Sequence, residues 1–129
     1  MAVGVRIVTS GALFRLGGGP IAHAIEEAII DIVARGEELV KDQLKPGHGL
    51  VTGHYRRSIH GELDNSRHGT IHDSEVVYGP WLEGTSSRNA STRFKGYSMF
   101  RRARQQLDRE KNDIVSRQMR KAVGRLNGG

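Results

Sequence analysis

Apolar residues recur every three or four positions between Pro20 and Leu44, and this spacing constrains the fold more than any other feature of the chain. Such a period places the apolar side chains on one face of an α-helix. Acidic residues fall between them, Pro20 suits the first turn, and Lys45-Pro46-Gly47 suits the end. We therefore predict a long amphipathic helix over residues 20–45, with its apolar face turned toward the core.

Residues 46–85 follow a different pattern, because glycine, proline and asparagine recur every few positions and separate short apolar segments. Three of these segments are candidate strands, namely 56–63, 69–72 and 75–83. The polar stretch Asp64–Gly69 is the expected loop between the first two. We predict an antiparallel meander over residues 46–85 with its apolar side on the long helix. Residues 1–19 form an N-terminal strand or arm, with residues 2–9 as the candidate strand.

The last third of the chain combines a polar, basic segment with a second helical pattern. Residues 86–98 contain little that could be buried, so we expect a mobile basic loop that becomes ordered on contact with a partner. An apolar stripe over residues 99–126 predicts a C-terminal helix whose other positions are largely basic. Ser98 is the candidate N-cap of that helix.

Length and composition indicate one small, basic α+β domain. A chain of 129 residues corresponds to a single domain, residues 1–129. The absence of cysteine excludes disulfides and thiolate metal sites. No apolar run approaches the roughly 20 residues that a membrane span needs. Nothing in the sequence points to a cofactor.

Charge is distributed unevenly along the chain. The formal net charge is +6, but residues 86–129 carry twelve basic and three acidic groups and so contribute +9. A one-sided field of this kind favours a polyanion or an acidic protein surface as partner. Six cations lie close together in sequence with no acidic residue between them. They are the candidate partner-facing or DNA-facing cluster, Arg88, Arg93, Lys95, Arg101, Arg102 and Arg104.

Three interpretations of this basic cluster remain open: it binds nucleic acid, it contacts an acidic protein partner, or it is merely solvated. Phe94, Tyr97 and Phe100 are interleaved with the cations, and basic groups combined with aromatic rings can bind phosphates and stack on bases. The same rings could pin the segment to the core, and a basic face can be merely solvated. The cluster could also meet an acidic face of a neighbouring subunit. The first helix offers such a face for subunit contact, formed by Glu26, Glu27, Glu37 and Glu38.

Signals for catalysis or metal binding are weak. His60 and His72 could face each other across a hairpin, but no cysteine or pair of carboxylates accompanies them. No serine lies on a Gly-x-Ser-x-Gly turn, and Gly17-Gly18-Gly19 lacks the Lys-Ser/Thr of a phosphate-binding loop. A hydrolase that uses His60 with Glu62 is a remaining alternative. The sequence predicts a protein that is not an enzyme and holds no metal.

The order of the short motifs resembles a known family. The long helix ends in Lys-Pro and is followed by Thr52-Gly53-His54-Tyr55-Arg56-Arg57-Ser58-Ile59. Next come Val77-Tyr78-Gly79-Pro80-Trp81-Leu82-Glu83-Gly84-Thr85, a basic loop, and Phe100-Arg101-Arg102-Ala103 at the start of the last helix. Over residues 20–126 this resembles the small neck or tail-completion proteins of long-tailed bacteriophages, which carry a "Tyr-Ala-Pro-x-x-Glu-x-Gly-Thr" segment. Gly79 replaces the usual alanine, and Gly84 follows Glu83 directly.

The resemblance implies a structural protein of the virion rather than an enzyme. It implies an α+β subunit of a homo-oligomeric ring, often sixfold, at the head–tail junction. Its neighbours would be the head-side connector and the tail terminator or tube, and DNA would pass through the lumen without sequence-specific binding. It would be assembled in the host cytoplasm, without contact to a membrane. The residues carried over as family-motif positions are Tyr78, Pro80, Trp81, Glu83, Gly84 and Thr85.

Overall fold

The predicted α+β fold is confirmed by a computed structural model, which describes residues 2–7, 18–44, 53–76 and 78–127. A three-stranded antiparallel sheet packs against two long helices. The elements in chain order are β1 (Ala2–Arg6), α1 (Gly18–Gln43), α2 (Gly53–Arg57), β2 (His60–Asn65), β3 (His68–His72), α3 (Gly79–Glu83), α4 (Ser87–Ser91) and α5 (Met99–Asn127). Residues 8–9 of the candidate N-terminal strand lie outside the described residues.

The sheet has the order β1-β3-β2, so the strand from the N-terminus pairs with the strand that is most distant from it in sequence. Val5 lies opposite Gly69, and Glu62 lies opposite Thr70 in the second antiparallel pair. β2 and β3 form the hairpin that the sequence predicts around Asp64–Gly69. The third strand of the sheet is therefore β1, and none of the described residues in the range 75–83 belongs to a strand.

Helix α1 lies close to the sheet because glycines face it. A Cβ atom on Gly69 would lie 2.3 Å from Cγ2 of Val33, and one on Gly61 would lie 2.5 Å from Cγ1 of the same residue. On the helix itself, a Cβ on Gly36 would lie 2.7 Å from Cδ1 of Ile71. The glycines thus allow the apolar face of α1 to contact the backbone of β2 and β3.

The two long helices, α1 and α5, pack against each other in antiparallel orientation. Arg35 of α1 forms a bidentate ion pair with Glu110 of α5, in which Nε donates to Oε1 at 2.8 Å and Nη2 donates to Oε2 at 3.2 Å. Nearer the start of α1, Asp31 accepts a 2.7 Å hydrogen bond from Gln118. The side chains buried between the helices and the sheet include Ile29, Ile32, Val40, Ile71, Phe100, Leu107 and Ile114.

The strand predicted over residues 75–83 is wrong, because its described residues, 75–76 and 78–83, lie in turns and in helix α3. Ser74 and Glu75 adopt positive φ angles of 59° and 57°, which an extended strand does not allow. Pro80 then lies at the start of α3, where its missing N–H costs no hydrogen bond. Gly84 ends the helix at φ 102° in the left-handed region.

Two further expectations need correction. The strand predicted from residue 56 begins only at His60, since Gly53–Arg57 is helical. The segment 86–98 is not an unstructured loop, because it contains helix α4 and extensive hydrogen bonding. In the described part of the chain, no helix combines the length and the apolar character that crossing a membrane requires.

Candidate partner-binding surface at the start of the last helix

Residues 78–104, which we call the junction, contain most of the sequence-predicted site residues, and Glu83 is their structural centre. The Glu83 side chain is only 6% exposed. Its carboxylate accepts hydrogen bonds from the backbone N–H of Phe100 at 2.9 Å and of Arg101 at 3.0 Å. These two amides belong to the first turn of α5, where backbone N–H groups have no partner within the helix. Glu83 therefore caps the N-terminus of α5 from a distant position in the sequence.

The capping charge offsets an unfavourable sequence at the start of α5. The first turn of α5 contains no acidic residue, yet Arg101 and Arg102 lie there. The positive end of the helix macrodipole favours anions and disfavours cations at this place. The Glu83 carboxylate supplies the missing anion from another part of the chain. The expected N-cap, Ser98, has φ 53°, which differs from the extended conformation of an N-cap residue.

Gly84 and Gly96 allow the two sides of the junction to meet. Both have positive φ angles, 102° and 92°. A Cβ on Gly84 would lie 2.2 Å from the carbonyl oxygen of Lys95, and a Cβ on Gly96 would lie 2.3 Å from Cα of Gly84. Beside this contact, the N–H of Tyr97 donates a hydrogen bond to the carbonyl of Leu82 at 2.6 Å. The chain leaving α3 and the chain entering α5 are thus held backbone to backbone.

Asn89 organises the segment between the two glycines. It is 3% exposed, and its amide donates to the carbonyls of Trp81 and Phe94, both at 3.1 Å. Its side-chain oxygen accepts from the N–H of Ser86, and Ser86 caps helix α4 in return. This reciprocal pattern is a capping box with asparagine in the position usually held by glutamate or glutamine. The basic segment is therefore folded around a buried polar side chain.

The aromatic residues of the junction pack on each other and on the core. The ring centroids of Trp81 and Phe94 are 4.9 Å apart, and those of Phe94 and Tyr97 are 5.1 Å apart. Phe100 is 2% exposed. The rings of Trp81, Phe94 and Tyr97 therefore pin the basic segment to the core. Because Phe100 is buried, it cannot stack on a nucleic-acid base.

A buried carboxylate lies beneath the start of helix α3. Asp73 is fully buried, and its Oδ2 accepts a 2.9 Å hydrogen bond from the hydroxyl of Tyr55. Burial, followed by this hydrogen bond, raises the pKa of Tyr55 well above its ordinary value. A Cβ on Gly79 would lie 2.1 Å from the same Oδ2. Glycine at this position therefore makes room for the Asp73 carboxylate under the helix.

The six cations of the predicted cluster do not play one common role. Lys95 donates from Nζ to the carbonyl of Asn89 at 2.8 Å and of Ala90 at 3.3 Å, so it closes the end of α4. The other five are exposed, and no described carboxylate lies within ion-pair distance of any of them. They are Arg88, Arg93, Arg101, Arg102 and Arg104. These five arginines are the charges of the junction that are available to a partner.

The acidic face predicted on the first helix is partly engaged within the chain. Glu37 accepts from Lys41 Nζ at 2.8 Å and from the N–H of Gly61 at 3.2 Å. Glu38 accepts from Arg35 at 2.8 Å. Of the remaining two residues, Glu26 is exposed and Glu27 lies 3.9 Å from His23. Glu37 and Glu38 therefore have partners within the chain, whereas Glu26 has no ion-pair partner among the described residues.

The histidines of the hairpin lie where the sequence predicted. His60 is opposite His72 in the β2–β3 register, with ring centroids 6.2 Å apart. Nδ1 of His72 accepts from the N–H of Ser74, while its Nε2 lies 2.9 Å from Glu62. Among the described residues, no group of three or more histidine and carboxylate side chains has an arrangement that could hold a metal ion.

Comparison with known proteins leaves the junction to be interpreted from its own geometry. No family model, curated protein or solved structure matches this chain. The sequence did not identify two buried polar residues of this region, Asn89 within the junction and Asp73 just before it. Asn89 has a recognisable local signal, since it follows the N-cap Ser86 by three positions. Asp73 has none, because its partner Tyr55 comes from a separate segment.

Proposed function

We propose that this chain is a structural subunit of the neck or tail of a long-tailed phage virion, where it joins or completes the head–tail interface. In this proposal it assembles in the host cytoplasm into a homo-oligomeric ring through which DNA passes, and it catalyses no reaction. The head-side connector and the tail terminator or tube are its neighbours. The role rests on the ordered motifs over residues 20–126 that resemble the neck and tail-completion proteins.

One structural observation supports this proposal more than the others. Two of the motif residues hold the start of α5, because Glu83 caps it and Gly84 makes a close backbone contact with Lys95 and Gly96. Five exposed arginines lie on the segment that this contact orders. A basic surface that is already ordered by these contacts suits docking onto an acidic protein surface without a large entropy cost of ordering.

A null mutant of the parent virus gives the most direct test. Electron microscopy of the lysate is expected to show DNA-filled heads and finished tails lying separately. That outcome would indicate that the protein acts where heads and tails join. Joined virions in normal numbers would refute the neck role.

Charge reversal tests whether the arginines make the contact. We expect Arg101→Glu with Arg102→Glu to block joining while leaving the subunit folded, because the helix macrodipole favours acidic residues in the first turn. The matched control is Arg120→Glu with Lys121→Glu, two exposed neighbours near the other end of the same helix. It makes the same change in net charge. Equal loss of joining in both variants would contradict a specific contact at the junction.

The second candidate function is a small basic nucleic-acid-binding module, favoured by the five exposed arginines without carboxylate partners. Since Phe100 is buried and Trp81, Phe94 and Tyr97 pack on each other and on the core, this binding would rest mainly on phosphate contacts. Each such contact releases counterions, so log K would fall with log salt by roughly 0.9 per phosphate contact. A titration of duplex DNA at several salt concentrations tests it. Weak binding that does not change with salt would exclude this function.

A further inference from the structure

The outer edge of strand β1 is open in the described part of the chain. The N–H of Ile7 donates to the carbonyl of Arg67 at 2.9 Å, and these two residues continue the β1–β3 register. Hydrogen-bonded pairs alternate along an antiparallel ladder. The backbone groups of Val3, Val5 and Ile7 therefore point toward β3, whereas those of Gly4 and Arg6 point away from the sheet.

The opposite edge of the sheet is treated differently. The same alternation places the N–H of Gly61 on the outer edge of β2, and there it donates to Glu37 of α1 at 3.2 Å. An uncovered edge strand is a template for pairing with another chain, and proteins usually block it. No described residue gives Gly4 or Arg6 a comparable backbone partner. The outer edge of β2 is thus covered at Gly61, whereas no described residue covers Gly4 or Arg6 on the outer edge of β1.

A cleft of about 390 Å³ runs along this open edge. Five consecutive residues line it, from Val3 to Ile7. Successive side chains of a strand point to opposite faces, so a cleft on one face would be lined by every second residue only. The cleft therefore follows the backbone edge of β1. Its other wall is helix α5. The apolar part of the lining consists of half-buried side chains, Val3, Val5, Ile7 and Val115, together with Ile32 and Leu107.

The charged lining of the cleft is mostly basic. Arg6, Arg104 and Lys111 contribute three cations, and the one acidic residue of the lining, Asp108, already accepts a 3.1 Å hydrogen bond from Lys111. An anionic occupant would therefore meet a net positive wall. The sheet edge, the apolar floor and the cations together specify the chemistry of what fits there.

We propose that the cleft between β1 and α5 binds an extended segment of another protein, which adds to β1 as a fourth strand. Its alternate apolar side chains lie on Val3, Val5 and Ile7, and its acidic side chains meet Arg6, Arg104 and Lys111. The backbone groups of Gly4 and Arg6 supply the hydrogen bonds, as in other cases of strand addition. The proposal does not rest on the neck function, since the sheet edge carries it and Arg104 is the one residue that it shares with the junction.

Substitution at Gly4 tests the proposal without disturbing the sheet. Because the Gly4 N–H points outward, Gly4→Pro removes an edge donor but no hydrogen bond of the β1–β3 ladder. Gly4→Ala is the matched control, since it keeps the N–H and its Cβ would lie 3.5 Å from His68 Nε2, an ordinary contact. Circular dichroism and thermal unfolding of both variants check that the sheet is retained.

The probe is a short synthetic peptide in which valine and glutamate alternate, with a second peptide in which lysine replaces glutamate. We expect the valine–glutamate peptide to bind and to shift the amide NMR signals of Gly4 and Arg6. Gly4→Pro should weaken this binding by about tenfold or more, and Gly4→Ala by less than about twofold.

Four outcomes would overturn the proposal. They are no binding of the valine–glutamate peptide, equal binding of the lysine peptide, equal affinity of Gly4→Pro and Gly4→Ala, and slow hydrogen exchange of the Gly4 and Arg6 amides in the protein alone. The last result would mean that the edge is already paired.

Discussion

A methyl group on Gly96 would lie 2.3 Å from Cα of Gly84, so these two glycines meet closer than any pair of larger residues allows. Both also have positive φ angles, a conformation that residues with a Cβ rarely adopt. Their contact brings the end of α3 against the start of α5. This contact and the neighbouring hydrogen bond from the Tyr97 N–H to the Leu82 carbonyl hold the basic segment between the two glycines as a closed loop.

We expect Gly84→Ala and Gly96→Ala each to lower the free energy of unfolding by about 1–3 kcal/mol, because each adds both strain and a clash. Gly124→Ala is the control, since nothing lies within 4 Å of a Cβ at that helical position. It should raise stability by up to about 1 kcal/mol through helix propensity. Urea unfolding measures all three. Similar effects of the three variants would contradict a special role for the glycine pair.

Removal of the capping carboxylate should weaken the start of α5. We expect Glu83→Ala to cost about 1–2 kcal/mol of unfolding free energy, because two backbone N–H groups lose their acceptor. Glu83→Gln should cost less, since its carbonyl oxygen still accepts one hydrogen bond. Hydrogen exchange at the amides of Phe100 and Arg101 should become faster in the alanine variant. Unchanged exchange at these two amides would rule out the cap.

The close contact between Gly79 and Asp73 predicts a strong coupling between these positions. Gly79→Ala should destabilise the protein by about 1–3 kcal/mol through overpacking against the Asp73 carboxylate. Asp73→Ala should also destabilise it, because it removes the acceptor of the Tyr55 hydroxyl. In the double variant the effect of Gly79→Ala should shrink by at least about 1 kcal/mol. Strict additivity of the two substitutions in a double-mutant cycle would disprove the contact.

The ion pair between the two long helices predicts a specific pH dependence. Hydrogen bonds from Arg35 and then Gln106 lower the pKa of Glu110 below its usual value. As the pH falls, the unfolded chain therefore takes up this proton first, so stability is lost. The contribution is full above the ordinary glutamate pKa of about 4.3 and disappears as the pH falls through the folded-state value.

Glu110→Gln isolates this contribution from other carboxylates. At neutral pH we expect the variant to be less stable by about 0.5–1 kcal/mol, since both side chains of the pair are about one-third exposed. The difference from the unsubstituted protein should vanish at acidic pH. Urea unfolding over a pH series measures it, and a difference that stays constant with pH would show that the ion pair does not cause it.

The long helices were predictable because their signal is local. The apolar period over residues 20–44 and the stripe over residues 99–126 lie within single segments, and the observed helices Gly18–Gln43 and Met99–Asn127 match them closely. A repeat of 3.6 residues needs no knowledge of the rest of the chain. The basic character of α5 and the hairpin β2–β3 were evident for the same reason.

The junction required contacts between segments that are far apart in sequence. Val76, Tyr78 and Trp81 are residue types that favour strands. The positive φ angles at Ser74 and Glu75 nevertheless interrupt an extended chain, and Pro80 begins a helix instead. The cap of α5 likewise comes from Glu83 and not from the adjacent Ser98.

The place of β1 in the sheet is a non-local property too. Val5 pairs with Gly69, which follows helix α1 in the sequence. No pattern within residues 2–7 identifies that partner. Local periodicity therefore specified which segments form long helices. The strand order, the capping carboxylate and the open edge of β1 arise only when distant residues pack together, because their energies depend on partners and not on neighbours in sequence.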